Sequence, residues 1–170
     1  MTEMTDLTDF IRALSQENDQ PHATLRALEA LVKHVVGARL FTLMTFDEAT
    51  GEASRAWSSQ PQEYPVSGRK PADRTEWSEI VMERHQTFVA NDIDAIAKVF
   101  PDYELIRSLG CGSCINVPVV VAGRVLGTLN ILHQAGHYTP ARVAASEMLK
   151  LPGALAFILL ENNALTGDSE

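Results

Sequence analysis

Only two cysteines and four lysines occur in the chain, aromatic residues make up 6% of it, and long uninterrupted apolar runs are missing. Each shortage excludes something. Two thiols, Cys111 and Cys114, are too few for a disulfide framework. Their Cys-x-x-Cys spacing lacks the second pair of a structural zinc site, to which His133 and His137 add at best a loose complement. No metal and no cofactor is expected. With 22 acidic against 14 basic residues the formal net charge is -8, which works against nucleic acid or an anionic membrane surface as partner, since both need a positive field. The acidic start "MTEMTDLTDF" has neither the basic nor the apolar region of a secretory leader. The best candidate for a membrane span, Leu151 to Leu160, is short and interrupted by Pro152 and Gly153. A cytoplasmic protein follows as the expectation. No Ser-His-Asp set can be read, and a phosphate-cradling glycine loop is missing because "GCGS" opens a strand and not a helix.

What is present is 45% hydrophobic residues over 170 positions, enough for one well-buried domain. Leu7, Phe10, Ile11 and Leu14, then Leu25, Leu28, Leu31, Val32 and Val35, recur at helical spacing, the second stripe ending at Gly37. "RLFTLMTF" and "ASRAWSS" read as a hairpin about Gly51. Residues 60–74, with three prolines and a glycine, read as a long functional loop. "TEWSEIVMERHQ" is predicted helical with Thr75 as cap, "TFVAND" a short strand ending at a cap on Asp92, and "IDAIAKVF" and "PDYELIRSL" two short helices. Ser113 to Val121 and Arg124 to His133 are predicted strands joined by Ala122-Gly123, and a long final helix starts at Thr139-Pro140 and bends at Pro152. The division expected is a helix in residues 1–20, one domain over 21–160, and a frayed tail over 161–170.

This order gives an α+β fold: a central antiparallel sheet with the terminal helices on one face and a variable helix and loop layer on the other. "CINVPVVV" and "RVLGTLNIL" are apolar on both alternating sets, as strands covered on both faces are. "INVPVVVAGRVLGTLNILH" followed by "YTPARVAASEMLKLPGALA" resembles the closing half of a GAF domain, with Pro118, Gly123, Gly127 and Leu129 at the matching positions. The resemblance covers roughly Pro21 to Leu160. It implies a small organic ligand held between sheet and variable layer, and a homodimer through the terminal helices. Ala144, Met148, Leu151, Leu155 and Ile158 make a seam that fits either such a dimer or burial on the sheet.

The thiols bear on an enzymatic alternative. In an extended chain Cys111 and Cys114 stand roughly 10 Å apart, beyond disulfide reach, and a strand follows them where a thioredoxin-like site has a helix. Cys114 is expected as a core thiol and Cys111 as a loop or pocket thiol. One branch of the GAF family, the free methionine-(R)-sulfoxide reductases, uses a pocket cysteine that Cys111 resembles in position. Counting back from the strand proline places that residue nearer Arg107, and no cysteine occurs between Ser58 and Gly110 to act as its partner. If the chain is an enzyme, Cys111 with His85 or His133 are the groups to test.

The leading expectation is a sensor or regulatory domain, signalling through an effector protein because no output segment follows Leu160. Its ligand has one planar face and one or two hydrogen-bonding ends. The pocket is expected to be closed by Tyr64 to Arg74 and Val99 to Cys111. Trp57, Tyr64, Trp77, Tyr103, Cys111, Ser113, Asn116 and His133 are the candidate ligand contacts. A simple two-residue turn pairs Ile115 with Asn130 and Asn116 with Leu129, so that at most one of the two asparagines faces the ligand. A purely structural dimerisation module, without a pocket, is the third class considered.

Overall fold

The computed structural model describes residues 5–66, 69–70 and 73–167. The chain opens with α1 (Thr8–Leu14) and α2 (His22–Val35). Leu25, Leu28, Leu31 and Val32 form one buried face of α2, and the chain leaves it through Gly37 at φ +78°, a left-handed cap that glycine adopts without a Cβ penalty. In α1 the apolar stripe is narrower than its spacing suggests: Phe10 is buried but Ile11 is 58% exposed. Gln20 staples the two helices, donating from Nε2 to Ala13 O at 2.8 Å while Oε1 accepts from Thr24 Oγ1 at 2.8 Å.

Next come β1 (Leu40–Phe46) and β2 (Ala53–Ser58), and then β3 (Arg69–Lys70), a two-residue strand within the segment expected to be entirely loop. A helical turn α3 (Glu76–Ser78) is capped by Thr75 as predicted, but it passes at once into a π turn over Glu79–Glu83. β4 (Phe88–Ala90), α4 (Ile93–Ala97, capped by Asp92) and α5 (Tyr103–Ser108) lead to β5 (Ser113–Val121) and β6 (Arg124–His133). The strands form one antiparallel sheet in the order β3-β2-β1-β6-β5-β4. On one face Phe41, Leu43, Ile115, Val117, Leu129 and Ile131 pack under the terminal helices; on the other, Leu40, Cys114 and Leu132 pack under Tyr64, Val81, Ile96 and Ile106 of the connecting layer. Burial on both faces is the reason the two central strands carry apolar residues at both parities.

Two bulges interrupt the regular alternation. Leu43 pairs with Trp57 and Met44 with Arg55, leaving Ala56 as the extra residue of β2. In the β5–β6 pair, Val121 faces Arg124 and Val120 faces Val125, but Val119 faces Gly127, so Leu126 is extra. Beyond that point the register is one residue off the simple hairpin, and Asn116 stands opposite Asn130. The expected pairing of Ile115 with Asn130 is corrected by this bulge.

The C-terminal helix is broken where proline chemistry requires it. α6 (Pro140–Ser146) passes through a 3₁₀ turn, Glu147–Leu149, into α7 (Lys150–Gly167); Pro152 has no N–H for the carbonyl of Met148 and its ring crowds that carbonyl, so the break falls ahead of the proline. α7 stays helical past the expected boundary at residue 161, to Gly167, while residues 168–170 of the expected tail lie outside the described ones. The helical run Pro140–Ala164 is long and apolar enough, by length and composition, to cross a membrane, contrary to the reading of Leu151 to Leu160 alone. Its inner face is nevertheless committed to the domain, with Leu149, Ala156 and Phe157 buried on the sheet.

Helix and sheet meet most closely at Gly127. A Cβ there would lie 2.3 Å from Phe157 Cε1 and 2.4 Å from the backbone oxygen of Met44. The backbone oxygen cannot yield as a flexible side chain can. Gly127→Ala is expected to cost about 3 kcal/mol and to lower the melting temperature by roughly 6–12 °C, read by calorimetry; a variant melting within 2 °C of the parent would contradict this packing.

Candidate ligand-binding site

Under the variable layer, against the even-numbered face of the central strands, lies a small, partly open cavity of ≈ 40 Å³. Its wall is apolar where Met44, Phe100, Ile106 and Leu132 meet it and polar where Thr42, Arg55, Asn116 and Asn130 do. A larger, open hollow of ≈ 460 Å³ lies elsewhere, between the β4 edge and α6. There the Asn91 side chain is already spent, donating to Tyr138 O at 2.9 Å and accepting from Tyr138 N at 3.1 Å. The convergent polar chemistry is in the smaller space.

That chemistry is a directed ladder of hydrogen bonds. Trp77 Nε1 donates to Asn116 Oδ1 at 2.9 Å, Asn116 Nδ2 to Asn130 Oδ1 at 2.7 Å, and Asn130 Nδ2 to Thr42 Oγ1 at 3.3 Å. An indole N–H can only donate, so the oxygen of Asn116 must face it; its amide nitrogen must then face Asn130, and the sense of every later bond follows. One amide hydrogen on each asparagine and the hydroxyl hydrogen of Thr42 have no acceptor among the described residues. At the buried Asn116 and Thr42 an unsatisfied hydrogen costs about 1–3 kcal/mol. Further along the same face of β6, the fully buried Thr128 Oγ1 also has no partner among the described residues.

Tyr64 and Arg55 close the cavity. The Arg55 guanidinium lies 3.8 Å over the Tyr64 ring and gives Nη1 to Pro65 O at 2.7 Å. Tyr64 Oη donates to Asp102 Oδ2 at 2.5 Å, joining the loop after β2 to the start of α5. Burial, and after it the bond to Asp102, raises the Tyr64 phenol above its ordinary range, so it stays a neutral donor. Asp102 Oδ1 is buried without a partner among the described residues.

The candidates from the sequence divide between the two faces. Tyr64 and Asn116 line the cavity, and Trp77 reaches it through its bond to Asn116. Trp57 lies on the opposite face, packed with the terminal helices and donating to Glu29 Oε2 at 3.0 Å. The β2 bulge put it there and turned Arg55 toward the cavity. Tyr103 and Cys111 pack in the core of the layer without lining the cavity. Ser113 gives its hydroxyl to the carbonyls of Gln134 and His133, at 2.6 and 3.3 Å. His133 stacks on His137 at 3.6 Å, and His137 in turn bonds the end of α2 at Val36 O. Burial and then the neighbouring His137 lower the His133 pKa. Residues 67–68 and 71–72 of the expected closing loop lie outside the described residues. Thr42, Arg55 and Cys114 line the cavity without having been among the candidates; a strand-parity argument that knew both bulges would have found all three.

Both thiols are free and buried; Cys114 lies in β5, and Cys111 lies in the loop between α5 and β5, as expected, packed into the core of the variable layer. Burial raises the Cys111 pKa, with the Arg39 guanidinium working against the rise. Burial, and then the nearby Cys111, pushes Cys114 up to about 12. Among the described residues no hydrogen bond joins Cys111 to His85 or His133, and His85 occupies a tight corner at φ +56° after the π turn. No three His, Cys, Asp or Glu side chains among the described residues are placed to share a metal ion.

A central antiparallel sheet covered on one side by the terminal helices and on the other by a layer of short helices and loops defines a layered α+β domain. Residues 18–159 match the model of the GAF domain, and the chain belongs to the GAF family. Among solved structures it is similar to the GAF domain of a two-component sensor histidine kinase from Bacillus halodurans (15% identity, TM-score 0.64, 84% of this chain and 95% of that one). It is also similar to the GAF domain of a phosphoenolpyruvate-protein phosphotransferase from Coxiella burnetii (20% identity, TM-score 0.62, 95% and 96%). A GAF domain/HD domain protein from Geobacter sulfurreducens is a third (17% identity, TM-score 0.60, 93% and 95%). Among curated proteins none matches significantly. At these identities the likeness establishes the fold.

The buried thiols generate a pH dependence. Unfolded Cys114 ionises near pH 9 while the native thiol keeps its proton to about 12. Unfolding therefore releases a proton above pH 9, and stability, unaffected by this group below that pH, falls as pH rises. Urea midpoints measured from pH 7 to 11 should decline above pH 9, with a Cys114 contribution of about 1.4 kcal/mol per pH unit that disappears in Cys114→Ala. Equal slopes in parent and variant would show that Cys114 ionises freely in the native state.

Proposed function

We propose that this GAF domain is a sensor or regulatory module that takes a small organic molecule into the cavity at Thr42, Arg55, Asn116 and Asn130, and that it acts through a partner protein. The observation carrying this reading is the Trp77–Asn116–Asn130–Thr42 ladder, a polar set that includes the buried Asn116 and Thr42 and the half-buried Asn130 and Trp77, with hydrogens left over on the face covered by the variable layer. Ligand pockets typically measure about 300–1,000 Å³, so a cavity of ≈ 40 Å³ describes a closed state. The layer must part for a metabolite to enter, and the Tyr64–Asp102 bond is the tie that crosses the opening. Movement of that layer is the signal a partner would read.

The enzymatic reading is favoured less, because a thiol nucleophile reacts as its thiolate and both thiols here are held neutral. The two tryptophans supply the test, one on each face. A ligand seated in the cavity should move the Trp77 indole N–H cross-peak in a nitrogen–proton correlation spectrum and leave that of Trp57 in place. Trp77→Phe should weaken the same ligand about tenfold or more, and Trp57→Phe should leave its affinity unchanged. A ligand that moves only the Trp57 signal would put the site on the wrong face of the sheet.

For quaternary structure we infer a homodimer built on α7, supported by an outward apolar row: Leu151 is 67% exposed, Leu155 38% and Ile158 39%. Spaced four and then three residues apart, they form the seam of a helix pair. Sedimentation at micromolar concentration should give twice the chain mass, and Leu155→Glu should give the monomer without loss of helical circular dichroism. A parent chain sedimenting as a monomer would rule the dimer out.

A further inference from the structure

We propose that the outer edge of β4, with the hollow between it and α6, is where the partner protein docks; this rests on the reading that the domain acts through one. The partner lays an extended segment along β4, with apolar residues at alternate positions and a lysine or arginine at one end. The backbone of the edge, the wall of the hollow and the charge at its rim together define that occupant.

β4 closes one end of the sheet, and no strand among the described residues pairs with its outer side. In an antiparallel ladder alternate residues give their N–H and C=O to the neighbouring strand, so the others in β4 turn theirs outward. Such a row is matched along its length by another extended polypeptide. Natural edge strands are guarded against this pairing by charge, proline or a bulge. The opposite edge, β3, is guarded, since its two residues are Arg69 and Lys70. β4 reads Phe88-Val89-Ala90, without charge or proline, and pairs with β5 in unbroken register. Val89, at its centre, is 40% exposed.

The hollow beside this edge has an apolar wall. Val89 pairs with Ile115, which packs under the terminal helices, so both face that side of the sheet. There Val89 meets the hollow of ≈ 460 Å³, whose wall continues through Tyr138, Pro140, Val143 and Ala144. The one amide in the wall, Asn91, is spent on Tyr138. The space therefore suits apolar side chains, and a strand added beside β4 sends every second side chain into it. Glu147 is the only charged residue lining it, half-exposed and bonded through Oε2 to Lys150 at 2.7 Å. With a chain charge of -8 around it, this rim favours a cationic residue and repels an acidic segment. The edge also adjoins the cavity: Phe88 pairs with Asn116 of the polar ladder, and Phe88 and Ala90 belong to the core of the variable layer. A partner on β4 is thus one strand away from the ladder.

Blocked peptides titrated into the isotope-labelled full chain test this. The probe "KTVTVTK" presents lysine and valine on one face of a strand and threonine on the other. It should shift the backbone amide cross-peaks of Phe88, Val89, Ala90 and Ala144 saturably. Two further forms are N-methylated at one or the other set of alternate residues. One set removes the donors that face β4 and should weaken binding about tenfold or more; the other should bind as the unmethylated peptide does. The acidic form "ETVTVTE" should bind severalfold more weakly at low salt. Ala144→Arg, at an exposed helix position, fills the hollow, and Val89→Lys guards the edge; each should abolish the shifts. Cooperative melting identifies folded variants, and the methylated pair tests the parent chain whatever the variants do. Equal binding of the two methylated forms, or an acidic form that binds as tightly as the basic one, overturns the proposal. So does the lack of any saturable shift at β4 with "KTVTVTK" at millimolar concentration. If raising the protein concentration alone moves the β4 peaks and Val89→Lys stops it, the edge pairs with a second copy and the partner assignment is wrong. Each of these outcomes leaves the Trp77 titration of the cavity untouched, so edge and cavity stand or fall separately.

Discussion

Because the central sheet is buried on both faces, every one-residue shift in strand pairing exchanges the contents of two different cores, and the arrangement of this protein depends on two such shifts. A strand alternates its side chains with a period of two, so one extra residue sends everything beyond it to the other side. In β2 the extra residue is Ala56, which separates Arg55 from Trp57 and sends the cation toward the cavity and the indole toward the terminal helices. In β6 it is Leu126, which brings Asn130 onto the same face as Asn116. A regular ladder would leave one asparagine in the helical core, among Leu25, Leu28 and Phe157, with nothing to bond.

The second bulge makes the polar ladder possible, and Trp77 gives it direction. In a low-dielectric interior a buried amide is costly alone and firm in a network. Asn116 and Asn130 satisfy each other, and the donor-only indole at one end removes the freedom of the amides to flip. The variable layer is thereby tied to the sheet by a bond from Trp77 and by the packing of Tyr64, itself held between Arg55 and Asp102. The groups that line the cavity are therefore the same ones that hold the layer on the sheet.

The opposite face is organised for permanence. Phe157 of α7 sits on Gly127, and Gly153 lets the same helix approach Val119 and Leu129 with its missing Cβ only 3.2–3.4 Å from their side chains. Ser113 and His133, candidate ligand contacts in the sequence, join His137 at the junction between the end of β6 and the end of α2. The thiols contribute volume to the layer core and are kept protonated by it.

The sequence by itself determined the elements and the layering. Its two helical stripes, the dual apolar parity of Ser113 to Val121 and Arg124 to His133, and the caps at Thr75, Asp92 and Thr139 are local signals, each set by residues within a few positions of one another. Pro118, Gly123, Gly127 and Leu129 were enough to bring the GAF resemblance into view. Tertiary structure alone decided which side chains face the cavity. Neither bulge has a glycine or proline at its extra residue, Ala56 or Leu126, to announce it, because each arises from the fit of a whole strand between two cores. Parity counted from the turn at Ala122-Gly123 therefore failed for Asn130, and proximity in sequence failed for Trp57. Thr42 and Arg55 became part of one site with Trp77 and Asn116 through contacts between residues far apart in the chain, and no local pattern encodes those.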